Sequence, residues 1–210
     1  MKTVLLLDAA RMDAHFETAS SFTLQRFSLY AHPKNDLLHS VAPWIFEYPG
    51  PPAFAEFFRT EGWGQSWGVL VGSGADINEL HRHFRRFLTV RLEDGEELYF
   101  RFYDPRVLRV FLPTCSPAQL QEFFGPVGTF IVEDEDPQFA LLYRLQRGVL
   151  HTERRSAADV LQEPKTAMAG AQPGSSVAAP TPTAATPAVP ELPHAELPKK
   201  PAPPKWRMFD

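Results

Sequence analysis

The chain has 210 residues, of which 44% are apolar and 22% are charged, and its formal net charge is −4. These proportions are typical of a globular protein, and the acidic balance gives no bulk attraction to nucleic acid or to an anionic membrane. A single cysteine, Cys115, excludes an intramolecular disulfide and a cysteine-based zinc site, and no stretch approaches the roughly 18 apolar residues of a membrane span, so we expect a soluble cytoplasmic protein.

Short strands and helices alternate through the first 74 residues of the predicted fold. The run VLLL near the N-terminus is too short for the core of a signal peptide, and it predicts a buried strand that ends at Asp8. The following segments predict a short helix over 12–19, a strand over 41–48, a helix from Pro52 to Arg59, and a second buried strand over 66–74.

The segment ADINELHRHFRRFLTVRL predicts an amphipathic helix that begins after Asp76. Its apolar stripe comprises Ile77, Leu80, Phe84 and Phe87, and its polar face carries His81, Arg82, Arg85 and Arg86. His81 and His83 invite a metal-binding interpretation. Residues two apart on a helix point in nearly opposite directions, so these two side chains share an ion only if the segment is a strand.

Residues 99–113, YFRFYDPRVLRVFLP, concentrate arginine and aromatic side chains. A hairpin with Asp-Gly at its turn leads into them, and continuing the strand places Arg101 on one face with Tyr99 and Tyr103. Asp104 then suits a helix N-cap, and Pro105 suits the first helical position. In the helix that follows, the buried stripe is Val107, Leu108, Phe111 and Leu112, and Arg106 and Arg109 lie on the outer side.

The remaining segments complete one domain. Ser116 and Gln119 have the spacing of a capping box at the start of another short helix. A strand over 127–132 leads into the acidic run 133–136, and a final strand pair begins at Phe139. We therefore predict an α+β fold with mixed strands and helices over residues 1–162, with candidate lobes at 1–74 and 75–162.

The composition changes after residue 162. Eleven of the 21 prolines follow Glu163, so residues 163–198 are predicted to be a disordered, Pro/Ala-rich linker. The chain then ends in KWRMFD, where Trp206 and Phe209 lie between charged residues. Residues 199–210 are therefore either a short linear binding motif or a ragged end of the chain.

Motifs for catalysis are sparse. The chain contains no GxSxG, GxxxxGK[ST] or HExxH sequence, and Cys115 has no obvious base beside it. The turn from Gly72 to Asp76 has the position of an anion cradle between a strand and a helix, but the charge of Asp76 opposes an anion there. The run 133–136 offers carboxylates to a divalent cation, but it lacks the glycine and spacing of a calcium loop, and solvated acids after a strand are far more common. A small metal- or nucleotide-dependent hydrolase using this turn and this loop remains the alternative function.

Residues 67–136 resemble the characteristic region of the type VI secretion effector chaperones, which are also called VgrG-effector adaptors. The matching pieces include Trp67-Gly68, the helix over 80–87, FRFYDPRVLR at 100–109, and LPTCSPAQLQEFFGPV at 112–127. RFSLYAHP and VAPWIFEY fit the upstream half of the same family. The resemblance covers about residues 3–146 and excludes the tail.

This resemblance implies a non-enzymatic cytoplasmic protein of a Gram-negative bacterium, without cofactors. It implies binding to a toxic effector and help in loading that effector onto the VgrG spike, and it leaves room for a co-chaperone. The family has no established catalytic residues to transfer. We interpret Trp67, Arg101, Asp104 and Pro105 as structural signature residues, with Arg101 or Arg106 paired to Asp104.

Arginine and aromatic side chains are the usual anchors of protein interfaces, which suggests where partners bind. We expect five arginines to present one partner-facing side: Arg82, Arg85, Arg86, Arg106 and Arg109. Replacing Arg106 and Arg109 with Glu is then expected to weaken partner binding and to leave the melting temperature nearly unchanged. Residues Trp206 to Phe209 are expected to supply a second, tethered contact.

Overall fold

The structure, a computed structural model, describes residues 2–30, 40–91 and 97–162. The strands in this part of the chain are β1 (Lys2–Asp8), β2 (Arg26–Ser28), β3 (Pro43–Tyr48), β4 (Gly68–Ser73), β5 (Thr89–Arg91), β6 (Glu97–Tyr99), β7 (Val127–Glu133), β8 (Phe139–Gln146) and β9 (Val149–Ser156). The helices are α1 (Ala9–Met12), α2 (His15–Ser21), α3 (Pro52–Phe57), α4 (Ile77–Arg85), α5 (Pro105–Phe111), α6 (Pro117–Phe124) and α7 (Ala157–Gln162).

One seven-stranded sheet organises the fold, with the strand order β2-β3-β1-β4-β7-β8-β9. Every neighbouring pair in it is antiparallel, while β5 and β6 form a separate two-stranded sheet. Antiparallel strands with helices on the sheet faces make this an α+β protein, as the sequence predicts. The candidate lobes 1–74 and 75–162 share the sheet, because β4 pairs with β7.

Helices cover both faces of the sheet, which explains why its central strands are apolar at nearly every position. On β1, Leu5 and Leu7 enter one core, and Val4 and Leu6 enter the other. The first core is closed by α1, α2, α3 and α7, and the second by α4, α5 and α6. The second core is rich in phenylalanine, with Phe84, Phe102, Phe123 and Phe130 all fully buried.

Most predicted elements are confirmed, and three end differently. The helix expected over 12–19 is two short helices, because Asp13 adopts a left-handed backbone with φ of 49° between α1 and α2. The helix expected to reach Arg59 ends at Phe57 and continues as a π-helix, Phe58–Gly62. The strand expected to continue through Tyr103 ends at Tyr99, because a turn from Arg101 to Asp104 buries both Phe102 and Tyr103.

None of the helices in the described ranges is long and apolar enough to cross a membrane. The predicted linker 163–198 and the candidate motif 199–210 lie outside the residues that the structure describes.

Gly68 marks the closest approach between β1 and β4. A Cβ atom at this position would lie 1.9 Å from the carbonyl oxygen of Leu6, which is far inside contact distance. The backbone N–H of Asp8 also donates to the carbonyl of the neighbouring Trp67, at 2.8 Å. The Trp67-Gly68 pair therefore fixes the end of β1 against the start of β4.

Replacing Gly68 with Ala should force β1 and β4 apart and lower the free energy of unfolding by about 3 kcal/mol. Gly74→Ala is the matched control, because a Cβ atom at Gly74 meets nothing within 4 Å. Urea unfolding of both variants measures the difference. Equal stability of the two variants would contradict the close approach.

Candidate functional site

Two of the segments that carry the family resemblance, Trp67-Gly68 and residues 100–109, meet at one end of the sheet. β1 and β7 both run antiparallel to β4, so they end where β4 begins. This places Asp8 and Glu133, the last residues of β1 and β7, at the same end as Trp67. The turn that contains Arg101 and the N-terminus of α5 pack against this end.

Four side chains of alternating charge form a network there, which we call the Asp8–Arg106 network: Asp8, Arg101, Asp104 and Arg106. Asp8 is only 1% exposed, and its carboxylate accepts hydrogen bonds from Ala10 N at 3.1 Å and from Arg101 Nη2 at 2.5 Å. The same Nη2 lies 3.7 Å from Asp104 Oδ2. Arg101 therefore bridges two buried carboxylates.

Asp104 caps α5, as the sequence predicts. Its Oδ1 accepts from Arg106 N at 3.0 Å, and Pro105 occupies the first turn. The guanidinium of Arg106 also donates to both carboxylate oxygens, at 3.0 and 2.6 Å. The carboxylate of Asp104 therefore both caps α5 and forms the ion pair with Arg106. The structure pairs Asp104 with both Arg101 and Arg106.

The pKa values of the two carboxylates are shifted in opposite directions. Burial raises the pKa of Asp8, and the hydrogen bond and charge of Arg101 only partly offset it. Burial also acts to raise the pKa of Asp104, but its bonds to Arg106 outweigh that and hold the pKa below its ordinary value. Burial raises the pKa of the neighbouring Tyr103 and Tyr30. Asp104 is therefore the firmly ionised member of the network.

Glu133 forms a second buried contact at this end of the sheet. Its carboxylate accepts from Gly64 N at 2.6 Å and from Ser66 Oγ at 2.7 Å, and its carbonyl accepts from Arg109 Nη1 at 2.6 Å. The next acid, Asp134, pairs with Arg154 at 2.5 Å. The expectation of solvated acids over 133–136 is thus wrong for Glu133, which holds the 62–67 loop to β7.

The five arginines expected to face a partner fall into two groups. Arg82, Arg85 and Arg86 are exposed at the end of α4, and Arg86 also contacts His83. Arg106 belongs to the Asp8–Arg106 network and Arg109 to the Glu133 contact. The expectation that Glu at 106 and 109 leaves the melting temperature unchanged conflicts with these contacts.

Replacing Arg106 and Arg109 together with Glu should instead lower the free energy of unfolding by about 2 kcal/mol, because Asp104 stays buried and meets a like charge. The Arg82→Glu, Arg85→Glu double variant makes the same charge change on exposed side chains and should stay within about 0.5 kcal/mol of the parent chain. Urea unfolding of the two double variants compares them directly. Equal stability would show that the Arg106 and Arg109 contacts contribute nothing.

The two histidines considered for a metal point to different carbonyl groups. His81 Nε2 lies 2.8 Å from Ser28 O, and His83 Nε2 lies 2.9 Å from Phe123 O. His83 is buried, and burial lowers its pKa to about 4. Its Nε2 carries the proton, and its Nδ1 accepts from Arg86 Nη2 at 3.1 Å. Across the described ranges, no group of three or more His, Cys, Asp or Glu side chains could hold a metal ion.

A histidine with a lowered folded pKa binds its proton more tightly in the unfolded chain, so stability should fall as the pH drops from about 6.5 to about 4. The loss attributable to His83 should approach about 3 kcal/mol at the acidic end. His83→Gln keeps a donor and an acceptor and should remove this part of the pH dependence. His151→Gln, at an exposed histidine, should retain it, and urea unfolding from pH 7 to pH 4 measures both. An unchanged slope in His83→Gln would contradict the assignment.

The hydrolase alternative required the Gly72–Asp76 turn and the acidic run 133–136 to act together. β4 ends at Ser73 opposite Val127, so the turn and the run lie at opposite ends of β7. Seven strand residues separate them by about 20 Å. Ser73 Oγ is also engaged, since it donates to Pro126 O at 2.6 Å and accepts from Ala75 N. One site cannot contain both.

Two further features of the described residues carry little chemistry. A cavity of about 810 Å³ opens beside Lys2, Tyr48 and Asp76, at the end of the sheet away from the Asp8–Arg106 network. The thiol of Cys115 donates to Phe111 O at 3.4 Å, and burial raises its pKa to about 12. At neutral pH this thiol is therefore not a nucleophilic thiolate.

The fold and site define an α+β protein. Its Asp8–Arg106 network and its Glu133 contact join elements of the fold to one another. A family model described as "Domain of unknown function (DUF4123)" matches residues 4–122, and the chain belongs to this family. The match spans β1 to α6 and includes the whole Asp8–Arg106 network. No curated protein and no solved structure matches the chain.

Asp8 and Glu133 are the site residues that the sequence interpretation missed. Each is an acid directly after a run of buried strand residues, and such an acid needs a partner when the strand is central. That position is the signal that could have identified them. Trp206 and Phe209 lie outside the described residues, so their predicted contact stays a prediction.

Proposed function

We propose that this protein is a non-enzymatic cytoplasmic adaptor that binds a toxic type VI secretion effector and helps load it onto the VgrG spike. The resemblance of residues 3–146 to effector chaperones supplies the partner class. The observation that carries the proposal is that three of the signature-region residues form ion pairs within the fold. Arg101, Asp104 and Arg106 pair with one another and with Asp8, which supports a structural role for these residues in the proposed adaptor.

Exposed side chains provide the chemistry for partner contact. Arg82 and Arg85 project from α4 away from the phenylalanine core. Tyr99 is 78% exposed at the end of β6, and Val110 is 70% exposed on α5. Arginine and tyrosine dominate the energetics of many protein interfaces, because each combines a large contact area with hydrogen-bonding groups. We assign the effector to the exposed face of α4 that carries Arg82 and Arg85, with Tyr99 and Val110 as further exposed candidate anchors.

Affinity purification of the tagged full-length chain from its native cytoplasm, followed by mass spectrometry, tests the function. The parent chain should recover a spike protein together with a large toxin-like protein. Arg82→Glu with Arg85→Glu should recover less effector, by about tenfold, because two interface cations become anions. The Lys2→Glu, Arg11→Glu variant makes the same charge change elsewhere and should recover the parental amount.

Two outcomes would contradict the proposal. Recovery of neither a spike protein nor a toxin, from cells that make the secretion apparatus, would remove the adaptor function. Parental recovery by the Arg82 and Arg85 variant would keep the adaptor function but place its partner on another surface.

A further inference from the structure

The outer strand of the sheet, β9, has the geometry of a docking edge. All eight of its residues pair with β8 without a register break. In the described part of the chain, no strand pairs with its other side. Because successive residues of an antiparallel strand direct their N–H and C=O groups to opposite sides, about four residues of β9 present backbone groups outward.

This edge is long and open. Eight residues exceed the usual strand length of about five or six, whereas the opposite edge strand, β2, has three. Five of the eight side chains are exposed, and Val149 at the start is 58% exposed. The strand contains no proline and no bulge, which are two devices that commonly prevent pairing with another chain.

The charge of the β8–β9 hairpin indicates which kind of partner strand would pair with β9. The β8–β9 hairpin, residues 139–156, contains four arginines against one glutamate, a net charge of +3 in a chain whose total is −4. Two of the arginines have internal contacts: Arg154 with Asp134 and the Phe139 ring, and Arg144 with Glu153. Arg147 lies exposed at the hairpin turn, and Arg155 lies 3.8 Å from Glu153. Arg147 is exposed at the turn, and the 3.8 Å ion pair of Arg155 is longer than the 2.7 Å pair of Arg144 and the 2.5 Å pair of Arg154, so Arg147 and Arg155 are the cations that can most easily pair with a partner.

We propose that β9 accepts an extended acidic segment of a partner protein by strand addition, with Arg147 and Arg155 pairing to its carboxylates. A second copy of this chain fits less well, because two hairpins of charge +3 would meet along the shared edge. Backbone hydrogen bonds supply affinity in this mode, and charge supplies the choice of partner. The proposal rests on the sheet edge and does not depend on the adaptor function.

Two labelled peptides test the edge with the full-length chain. The acidic probe is Thr-Glu-Val-Glu-Val-Asp-Val-Thr, and the basic probe replaces its three acids with Lys, Lys and Arg. Fluorescence anisotropy should show binding of the acidic probe alone, and hydrogen exchange should show new amide protection within 149–156. Arg147→Glu with Arg155→Glu should weaken acidic-probe binding by about tenfold, and Lys2→Glu with Arg11→Glu should not.

A pair of proline variants tests the backbone contact. Thr152 and Glu153 are adjacent, so the N–H of one points outward and the N–H of the other points to β8. Thr152→Pro and Glu153→Pro should therefore differ, with one keeping the parental melting temperature and losing the acidic probe. If neither proline variant folds, the Arg147→Glu, Arg155→Glu variant still tests the proposal.

Three results would overturn the proposal. Binding of neither probe would mean that the arginines serve as edge protection against pairing. Equal binding of both probes would remove the charge preference. Sedimentation of the chain as a dimer that Arg147→Glu with Arg155→Glu disrupts would assign the edge to a second copy.

Discussion

The carboxylate of Asp8 lies at the end of a central strand with 1% of the residue exposed, where an unpaired charge would cost several kcal/mol. Arg101 compensates this charge from 93 residues further along the chain. Its guanidinium must reach the end of the sheet, so the turn that carries it is drawn against β1. That turn brings Phe102 into the second core and sets Asp104 at the start of α5. The placement of α5 therefore depends on the ion pair at Asp8.

The close contact between β1 and β4 acts at the same point. Gly68 lets the strands approach, and Trp67 accepts the backbone N–H of Asp8. Trp67-Gly68 and the 100–109 segment thus converge on one strand end, and their shared role is structural. This arrangement explains how a sequence rich in arginine and acid can lack catalytic motifs. Its buried charges stabilise the fold, and the proposed contacts with other proteins use its exposed arginines.

The local elements were predictable because short-range chemistry determines them. A run such as VLLL predicts a buried strand, and Ser116 with Gln119 forms the predicted capping box. Asp104 likewise caps the helix that follows it. The Asp8–Arg101 pair was not predictable, because nothing in the local pattern of either residue names a partner 93 residues away. Glu133 was taken for a solvated acid because its acidic neighbours hide the fact that β7 extends through it.

A double-mutant cycle on Asp8 and Arg101 measures how strongly this ion pair holds the Arg101 turn to β1. Asp8→Asn keeps the capping acceptor for Ala10 and removes the charge, and Arg101→Met keeps much of the side-chain volume. Urea unfolding of the parent, both single variants and the double variant gives the coupling free energy. We predict a coupling of about 2 kcal/mol, with Asp8→Asn restoring part of the stability lost in Arg101→Met. A coupling below about 0.5 kcal/mol would contradict the dependence of the Arg101 turn on Asp8, because the two residues would then stabilise the fold independently.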